Sequence, residues 1–208
     1  MKKNKNNRKQ RGFTLIELLV AITIFAVFIV VSSGSLVDVI RTEQKGNVLR
    51  KTLEDTRNIL ETISRDSRES NGELDLGGTR VGHAYVKNGD NLEVYATTTD
   101  GKVEKTVYSY ISIGGSIPNT IQKAVYKKSV GADNSTYTLS GALINLNDYN
   151  QVIISSITFT VSGDLTNLLI PPELKININA ESGSGMTSGK SEFTAKVNLE
   201  TLVTPRSY

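Results

Sequence analysis

The sequence predicts an α+β fold in which a long N-terminal helix, membrane-spanning in its first half, carries a C-terminal antiparallel β-sheet head. Two observations predict it. Residues 13–70 combine an uninterrupted apolar run with apolar residues that recur every three or four positions, and both patterns are typical of helices. From Leu74 onward, short β-branched and tyrosine-rich runs alternate with turn-forming clusters, without any helical pattern between them. That alternation favours antiparallel pairing.

The first twelve residues form a basic leader. Six Lys or Arg residues and no acid lie in residues 1–12, whereas the whole chain of 208 residues carries 24 Lys and Arg against 21 Asp and Glu, a net charge of +3. Without the leader, 18 basic residues would face 21 acidic ones, a balance of −3. Because basic and aromatic residues do not alternate elsewhere, we expect no nucleic-acid partner.

The apolar run that follows is long enough to cross a membrane. Residues 13–37 are almost wholly apolar, and the 20 consecutive residues from Leu18 to Val37 carry no charge. About 20 helical residues span the hydrocarbon core of a bilayer. The basic leader before this run and Asp38 after it place the N-terminus in the cytoplasm by the positive-inside rule. We therefore expect a transmembrane helix over residues 13–37 and an extracytoplasmic head.

An amphipathic stretch prolongs this helix over residues 38–70. Its apolar residues form one stripe, and opposite charges four residues apart lie between them. Such charge pairs stabilise a helix by only about 0.2–0.5 kcal/mol each, so the apolar stripe must pack against something. Asn71-Gly72 predicts the C-terminal end, and Gly34 and Gly46 are the predicted weak points.

Eight short runs predict strands in the head, which spans residues 74–208. They lie at residues 80–87, 92–98, 103–113, 124–129, 137–146, 152–161, 174–180 and 193–203. Turn clusters such as NGD, DGK and SGSGMTSG separate them. All eight tyrosines of the chain belong to this region, which is consistent with a β-rich domain.

The reactive side chains argue against an enzyme. The chain has no cysteine and a single histidine, His83, which leaves no disulfide framework, no thiolate or paired-histidine metal site and no cysteine nucleophile. The Asn- and Asp-rich cluster at residues 145–150 lacks the spacing of an EF-hand and is explained by turn chemistry. We predict no catalytic residue, no metal and no cofactor.

One acid interrupts the apolar helix. Glu17 lies five residues after Gly12 in the segment RGFTLIELLV at residues 11–20. A carboxylate inside a membrane costs several kcal/mol unless it is paired or protonated, which marks Glu17 as a candidate functional group. The basic leader, the glycine, Phe13, the Thr-Leu-Ile-Glu run and the long apolar helix, in this order, resemble the class III signal of type IV pilins and of the pseudopilins of type II secretion.

This resemblance implies cleavage between Gly12 and Phe13 by a membrane prepilin peptidase, followed by N-methylation of Phe13. Glu17 of one subunit would pair with the new α-amino group of Phe13 on its neighbour, and each charge would offset the desolvation cost of the other. The implied partners are other pilin or pseudopilin subunits, the prepilin peptidase, the inner-membrane assembly platform and membrane lipid. After assembly the protein would belong to a cell-surface or periplasmic filament.

Two weaker similarities favour a minor subunit. Residues 63–68 resemble a region late in the helix of J-type pseudopilins and W-type minor pilins, and residues 193–199, with Pro205-Arg206 after them, resemble the C-terminal strand of those proteins. They imply a subunit that initiates or caps a filament. Two alternatives stay open: a minor pilin that acts mainly as an adhesin or ligand-binding module, and an ordinary secreted β protein cleaved by signal peptidase near residues 31–34.

Overall fold

The structure is a computed structural model that describes residues 12–74, 79–100, 102–112, 119–129, 137–163, 171–183 and 194–206. Residues 1–11 of the predicted leader, and residues 184–189 of the turn cluster before the last predicted strand, lie outside these ranges. The chain divides into two compact units, Met1–Gln44 and Lys45–Tyr208.

The predicted N-terminal helix is confirmed as α1, Leu15–Glu69, which is uninterrupted at Gly34 and Gly46. Its C-terminal end also lies where the sequence predicts it. Gly72 has a φ of +79°, and a Cβ atom there would lie 2.6 Å from the carbonyl oxygen of Gly82. Glycine is therefore required at this turn, both for its backbone conformation and for the space it leaves.

Nine strands follow α1 in the described residues, all paired antiparallel. They are β1 (Tyr85–Asn88), β2 (Asn91–Thr97), β3 (Lys102–Ile111), β4 (Thr120–Ser129), β5 (Thr138–Leu139), β6 (Ile144–Asn145), β7 (Val152–Ser162), β8 (Glu173–Ser182) and β9 (Lys196–Val203). The first sheet has the order β1-β2-β3-β4-β5, with β6 also paired to β4, and the second has the order β7-β8-β9. The antiparallel head is confirmed, but its strands form two sheets instead of one.

Two predicted runs differ in detail from the observed strands. The run at residues 137–146 yields only the two-residue strands β5 and β6, because Gly141 between them adopts a φ of +100° that strand residues do not share. The run at residues 80–87 pairs as a regular strand only from Tyr85, and His83 lies just before that strand.

The core of the head lies between the two sheets and the C-terminal part of α1. Ile59 and Ile63 of α1 pack with Leu92 and Tyr108 of the first sheet and with Ile176 of the second. Alternate residues along β8 are buried, as expected for a strand with one face on a core. The predicted apolar stripe of α1 therefore packs against the sheets of its own chain in this part of the helix.

Tyrosine hydroxyls connect the two sheets. The Tyr85 hydroxyl donates to the carbonyl oxygen of Pro172 and lies 3.1 Å from that of Val203. The pairing of β7 with β8 skips one residue between Ile154 and Ser156, and the Tyr110 hydroxyl lies 2.9 Å from the carbonyl oxygen of this skipped residue, Ser155. A polar group from the first sheet thus contacts backbone that the bulge leaves without a strand partner.

The Asn- and Asp-rich segment at residues 145–150 is a turn fastened to the first sheet. The side-chain oxygen of Asn147 accepts the backbone N–H of Ile121 at 3.0 Å, and its amide nitrogen donates to the Val152 carbonyl at 2.9 Å. One Asp148 carboxylate oxygen accepts the backbone N–H of Asn150 at 3.0 Å. These bonds confirm the turn interpretation of the cluster.

Candidate functional site

The residues of the predicted processing site lie in the short segment before α1. Gly12 and Phe13 are both exposed, and the side chain of Phe13 is 81% exposed. A Cβ atom built on Gly12 would meet nothing within 4 Å among the described residues. A requirement for glycine at position 12 would therefore come from an external binding pocket and not from packing within the chain.

Thr14 and Glu17 form a capping box at the N-terminal end of α1. The Thr14 hydroxyl oxygen accepts the backbone N–H of Glu17 at 3.3 Å, and the Glu17 carboxylate accepts the backbone N–H of Thr14 at 3.4 Å. Each side chain thus satisfies a backbone donor that the first helical turn leaves free. This role of Glu17 is not among those predicted above from the sequence, although Thr followed three residues later by Glu is the signature of such a box.

The capping box holds the Glu17 carboxylate at the end of α1 that follows the predicted cleavage site. Glu17 is exposed, so the carboxylate remains open to a partner outside the chain. The N-terminal end of a helix also favours negative charge, because the peptide dipoles point their positive ends there. Glu17 can therefore serve both as a helix cap and as an acceptor for a cation.

The apolar side chains of α1 in the unit Met1–Gln44 project away from the chain's own atoms. Within the described residues, none of the most apolar window of α1 is buried, and this helix is long and apolar enough to cross a membrane. Ile16, Phe25 and Val30 are 71%, 64% and 72% exposed. Exposed apolar surface of this extent is typical of a site that associates with a membrane or with another protein.

The segment at residues 63–68 makes contacts within the head. Ile63 is fully buried, and the Asp66 carboxylate accepts the Tyr108 hydroxyl and lies 2.5 Å from the ammonium of Lys123. The Arg68 carbonyl accepts the backbone N–H of Arg206 at 2.8 Å, which ties the C-terminal segment to the end of α1. Burial, reinforced by the charge of Asp66, raises the pKa of Tyr108, so this hydroxyl stays a donor.

Residues 7–33 match the family described as the prokaryotic N-terminal methylation motif. This match supports the predicted similarity of the N-terminus to those of type IV pilins and pseudopilins. Gly12, Phe13 and Glu17 all lie within the matched residues, whereas the head lies outside them. No curated protein matches the chain, and no solved structure does.

The chain combines a long apolar N-terminal helix with an antiparallel head, which is a pilin-like α+β architecture. In the described ranges, no group of three or more His, Cys, Asp or Glu side chains is arranged to hold a metal ion. The N-terminal segment therefore combines the methylation motif, an exposed acid and an exposed apolar surface.

Proposed function

We propose that the chain is a minor pilin or pseudopilin, a structural subunit of a type IV pilus or of a secretion or DNA-uptake pseudopilus. The observation that supports this most is the methylation motif at residues 7–33, followed by an apolar helix whose side chains find no cover in their own chain. A signal peptide would be discarded, whereas an exposed apolar helix that stays attached can be used twice, once in lipid and once in a filament.

Processing is the first step of the proposal. The prepilin peptidase cleaves between Gly12 and Phe13, and Phe13 is then N-methylated. Both residues are exposed and precede the first hydrogen-bonded turn of α1, so a peptidase can reach the bond without unwinding the helix. Removal of the leader discards six basic residues and creates one α-amino group.

Pairing between subunits is the second step. In a bilayer the Glu17 carboxylate lacks a counter-charge on its own helix, since the run that follows it to Val37 is uncharged. The α-amino group of Phe13 on a neighbouring subunit supplies that counter-charge, and the pairing removes two desolvation costs together. The exposed apolar residues of the span then pack against the helices of neighbouring subunits as they leave the lipid.

The role of a minor subunit that initiates or caps the filament rests on the J-type and W-type similarities at residues 63–68 and near the C-terminus. The contacts of Asp66 and Arg68 within the head are compatible with it, because they serve the fold and leave the N-terminal helix for assembly. The leader charge favours an N-terminus in the cytoplasm and a head outside it. The assembly platform of the inner membrane is the expected docking partner.

The decisive experiment is the intact mass of the protein extracted from membranes of cells that contain a prepilin peptidase. The mature chain is expected to begin at methylated Phe13, and Gly12→Leu is expected to keep the leader. Gly34→Leu is the matched control, because Gly34 also has open space around a built Cβ atom yet lies inside α1. A mature chain that begins near residues 31–34 would instead establish an ordinary secreted protein.

A further inference from the structure

The second sheet ends in a strand edge to which the proposed filament function gives no role. β9, Lys196–Val203, is eight residues long and pairs on one side with β8. In the part of the chain that the structure describes, no strand pairs with its other side. The first sheet differs, because the short strands β5 and β6 cover the free side of β4. A long uncovered edge strand is a template for pairing with another strand.

Every second residue of β9 directs its backbone groups toward this edge. The N–H of Ser182 donates to the Ala195 carbonyl at 2.9 Å, so these two residues form a hydrogen-bonded pair. Hydrogen-bonded and non-hydrogen-bonded pairs alternate along an antiparallel ladder, and the pair that follows is Glu181 with Lys196. The N–H and C=O groups therefore point away from β8 at Lys196, Asn198, Glu200 and Leu202.

The side chains of these four residues lie on the solvent-exposed face of the sheet. All four are exposed, and the Lys196 side chain is 74% exposed. Val197 and Val203, which alternate with them, are buried in the head. The edge thus offers unpaired backbone beside accessible polar side chains, while the opposite face of β9 is held by the core.

We propose that β9 pairs antiparallel with β9 of a second copy of this chain, about a twofold axis at Asn198. In this register Lys196 lies opposite Glu200 of the second copy, and the axis repeats this pair. Opposite charges that face each other across two strands stabilise the pairing. An axis at Val197 or Leu199 would place both charges opposite uncharged residues, so the charge pattern selects the register.

The charged side chains can take a second partner. The Lys196 ammonium lies 3.0 Å from Glu181, and the Glu200 carboxylate lies 2.9 Å from Lys175. An ammonium has three donors and a carboxylate about four acceptor positions, so one ion pair leaves bonding capacity on each. The second copy would therefore extend these pairs without breaking them.

A row of amides leads to the proposed axis. The Asn179 amide donates to the Ser156 hydroxyl at 2.9 Å, and the Asn198 amide donates to the Asn179 side-chain oxygen at 2.6 Å. The Asn198 oxygen also lies 3.5 Å from the Asn177 amide nitrogen. A primary amide has two N–H donors and two acceptor lone pairs, so one of each remains on Asn198. The two Asn198 side chains can bond to each other and continue the row into the second copy.

Sedimentation equilibrium of the full-length chain tests this inference, in a density-matched detergent with micelles in large excess over protein. We expect a reversible dimer of the wild-type chain. Lys196→Glu and Glu200→Lys are each expected to weaken it by about tenfold or more, because both cross-strand pairs become like-charged. An equimolar mixture of the two variants is expected to restore the dimer, since each acid again lies opposite a lysine.

The matched control is Lys175→Glu, which removes the ion pair with Glu200 inside one chain but faces no charge on the second copy. We expect it to leave the dimer at least as tight as the wild type. This comparison does not depend on cleavage at Gly12, so its failure is distinct from failure of the proposed filament function.

Cysteine crosslinking tests the register independently, since the chain has no cysteine of its own. Asn198→Cys is expected to be linked to its copy by a short bismaleimide, because the axis brings the two Cα atoms to about 5.5 Å. Thr158→Cys, exposed on β7, is the control. Five strand spacings would separate the two copies of Thr158, or roughly 24 Å.

A wild-type chain that stays monomeric up to its solubility limit overturns the proposal. A mixture of Lys196→Glu and Glu200→Lys that associates no more tightly than either variant alone does so as well. Crosslinking of Thr158→Cys as fast as Asn198→Cys, or equal weakening of the dimer by Lys175→Glu, also contradicts pairing through β9.

Discussion

The two parts of α1 carry similar apolar side chains in opposite environments. Ile24, in the unit Met1–Gln44, is 66% exposed, whereas Ile63, in the unit Lys45–Tyr208, is fully buried. Both are helical isoleucines, so neither helix propensity nor hydrophobicity distinguishes them. What differs is what covers them: Ile63 packs on strands of its own chain, whereas under the proposed function Ile24 is covered by lipid or by another subunit. Apolar residues in one helix can therefore serve folding in one part and association in another.

Truncation of one isoleucine in each part tests this difference most strongly. Ile63→Ala is expected to lower the free energy of unfolding of the head by about 2–5 kcal/mol, because a cavity replaces a fully buried side chain. Ile24→Ala is expected to change it by less than about 0.5 kcal/mol. All eight tyrosines belong to the head, so tyrosine fluorescence during urea unfolding of the full-length chain in detergent reports on the head alone.

Equal losses in the two variants would show that the head depends on the apolar span for its stability. A loss confined to Ile63→Ala, with filament incorporation impaired only in Ile24→Ala, would separate the folding role from the assembly role within one helix.

The ion pair that fastens α1 to the head is expected to contribute less. Asp66→Asn should cost about 2 kcal/mol of head stability, because Lys123 and Tyr108 both lose their charged partner. Burial is the larger cause of the raised pKa of Tyr108, so its hydroxyl should stay protonated in the variant as well. Urea unfolding measures the loss of stability.

The exposed ion pair of Lys196 and Glu181 is the matched control for the ion pair of Asp66 and Lys123. Its nitrogen–oxygen distance is 3.0 Å, but Lys196 is 74% exposed and solvent screens the pair. Glu181→Gln is therefore expected to cost no more than about 1 kcal/mol. Similar losses of head stability in Asp66→Asn and Glu181→Gln would show that the ion pair of Asp66 and Lys123 contributes no more than an exposed one.

The charge of Glu17, in the apolar part of α1, is expected to affect filament assembly and not the stability of the head. Glu17→Ala should be processed normally but enter filaments about tenfold less, a factor that corresponds to ~1.4 kcal/mol. Quantification of the variant in sheared filaments, relative to mature protein in the membrane, measures this. Wild-type incorporation of Glu17→Ala would overturn the pairing with Phe13, whatever the state of the head.

The capping box gives Glu17 a second role that a Thr14 variant separates from the first. Thr14→Ala removes the hydroxyl that caps α1 but keeps the Glu17 carboxylate, at a cost of about 1 kcal/mol to the first turn. We therefore expect a smaller loss of filament incorporation than in Glu17→Ala, by the same shearing assay. Equal losses would mean that Glu17 acts through the cap and not through a charge on another subunit.

The features that the sequence predicts correctly depend on neighbours along the chain. The end of α1 at Asn71-Gly72 and the buried alternation of β8 follow from local periodicity and turn chemistry. The division of the strands into two sheets depends on distant pairings, as does the contact of Asp66 with Lys123, which lies 57 residues later. No local pattern encodes such contacts. The spacing of Thr14 and Glu17, three residues apart, is enough to predict the capping box. The apolar sequence around Glu17 instead favours an interpretation of its charge alone.

The smallest expected effect on stability concerns Asp55 of α1, which lies beside the turn at residues 146–152. Burial, assisted by the charges of Glu54 and Asp148 and opposed by Lys51, raises the pKa of Asp55, which lies beyond the apolar span. A raised pKa means that the folded chain holds this proton more tightly than the unfolded chain. The stability that this proton contributes is present at acid pH and is lost as the pH rises through the folded-state pKa.

Asp55→Asn mimics the protonated side chain and is therefore expected to stabilise the head at pH 7 and to leave it unchanged at pH 3. Because Asp55 is only partly buried, the gain at pH 7 should stay below about 1 kcal/mol. Urea unfolding at both pH values measures it, with Asp38→Asn in the exposed part of α1 as a control that should change neither. A gain of equal size at both pH values would attribute the effect to packing of the amide and not to the charge of Asp55.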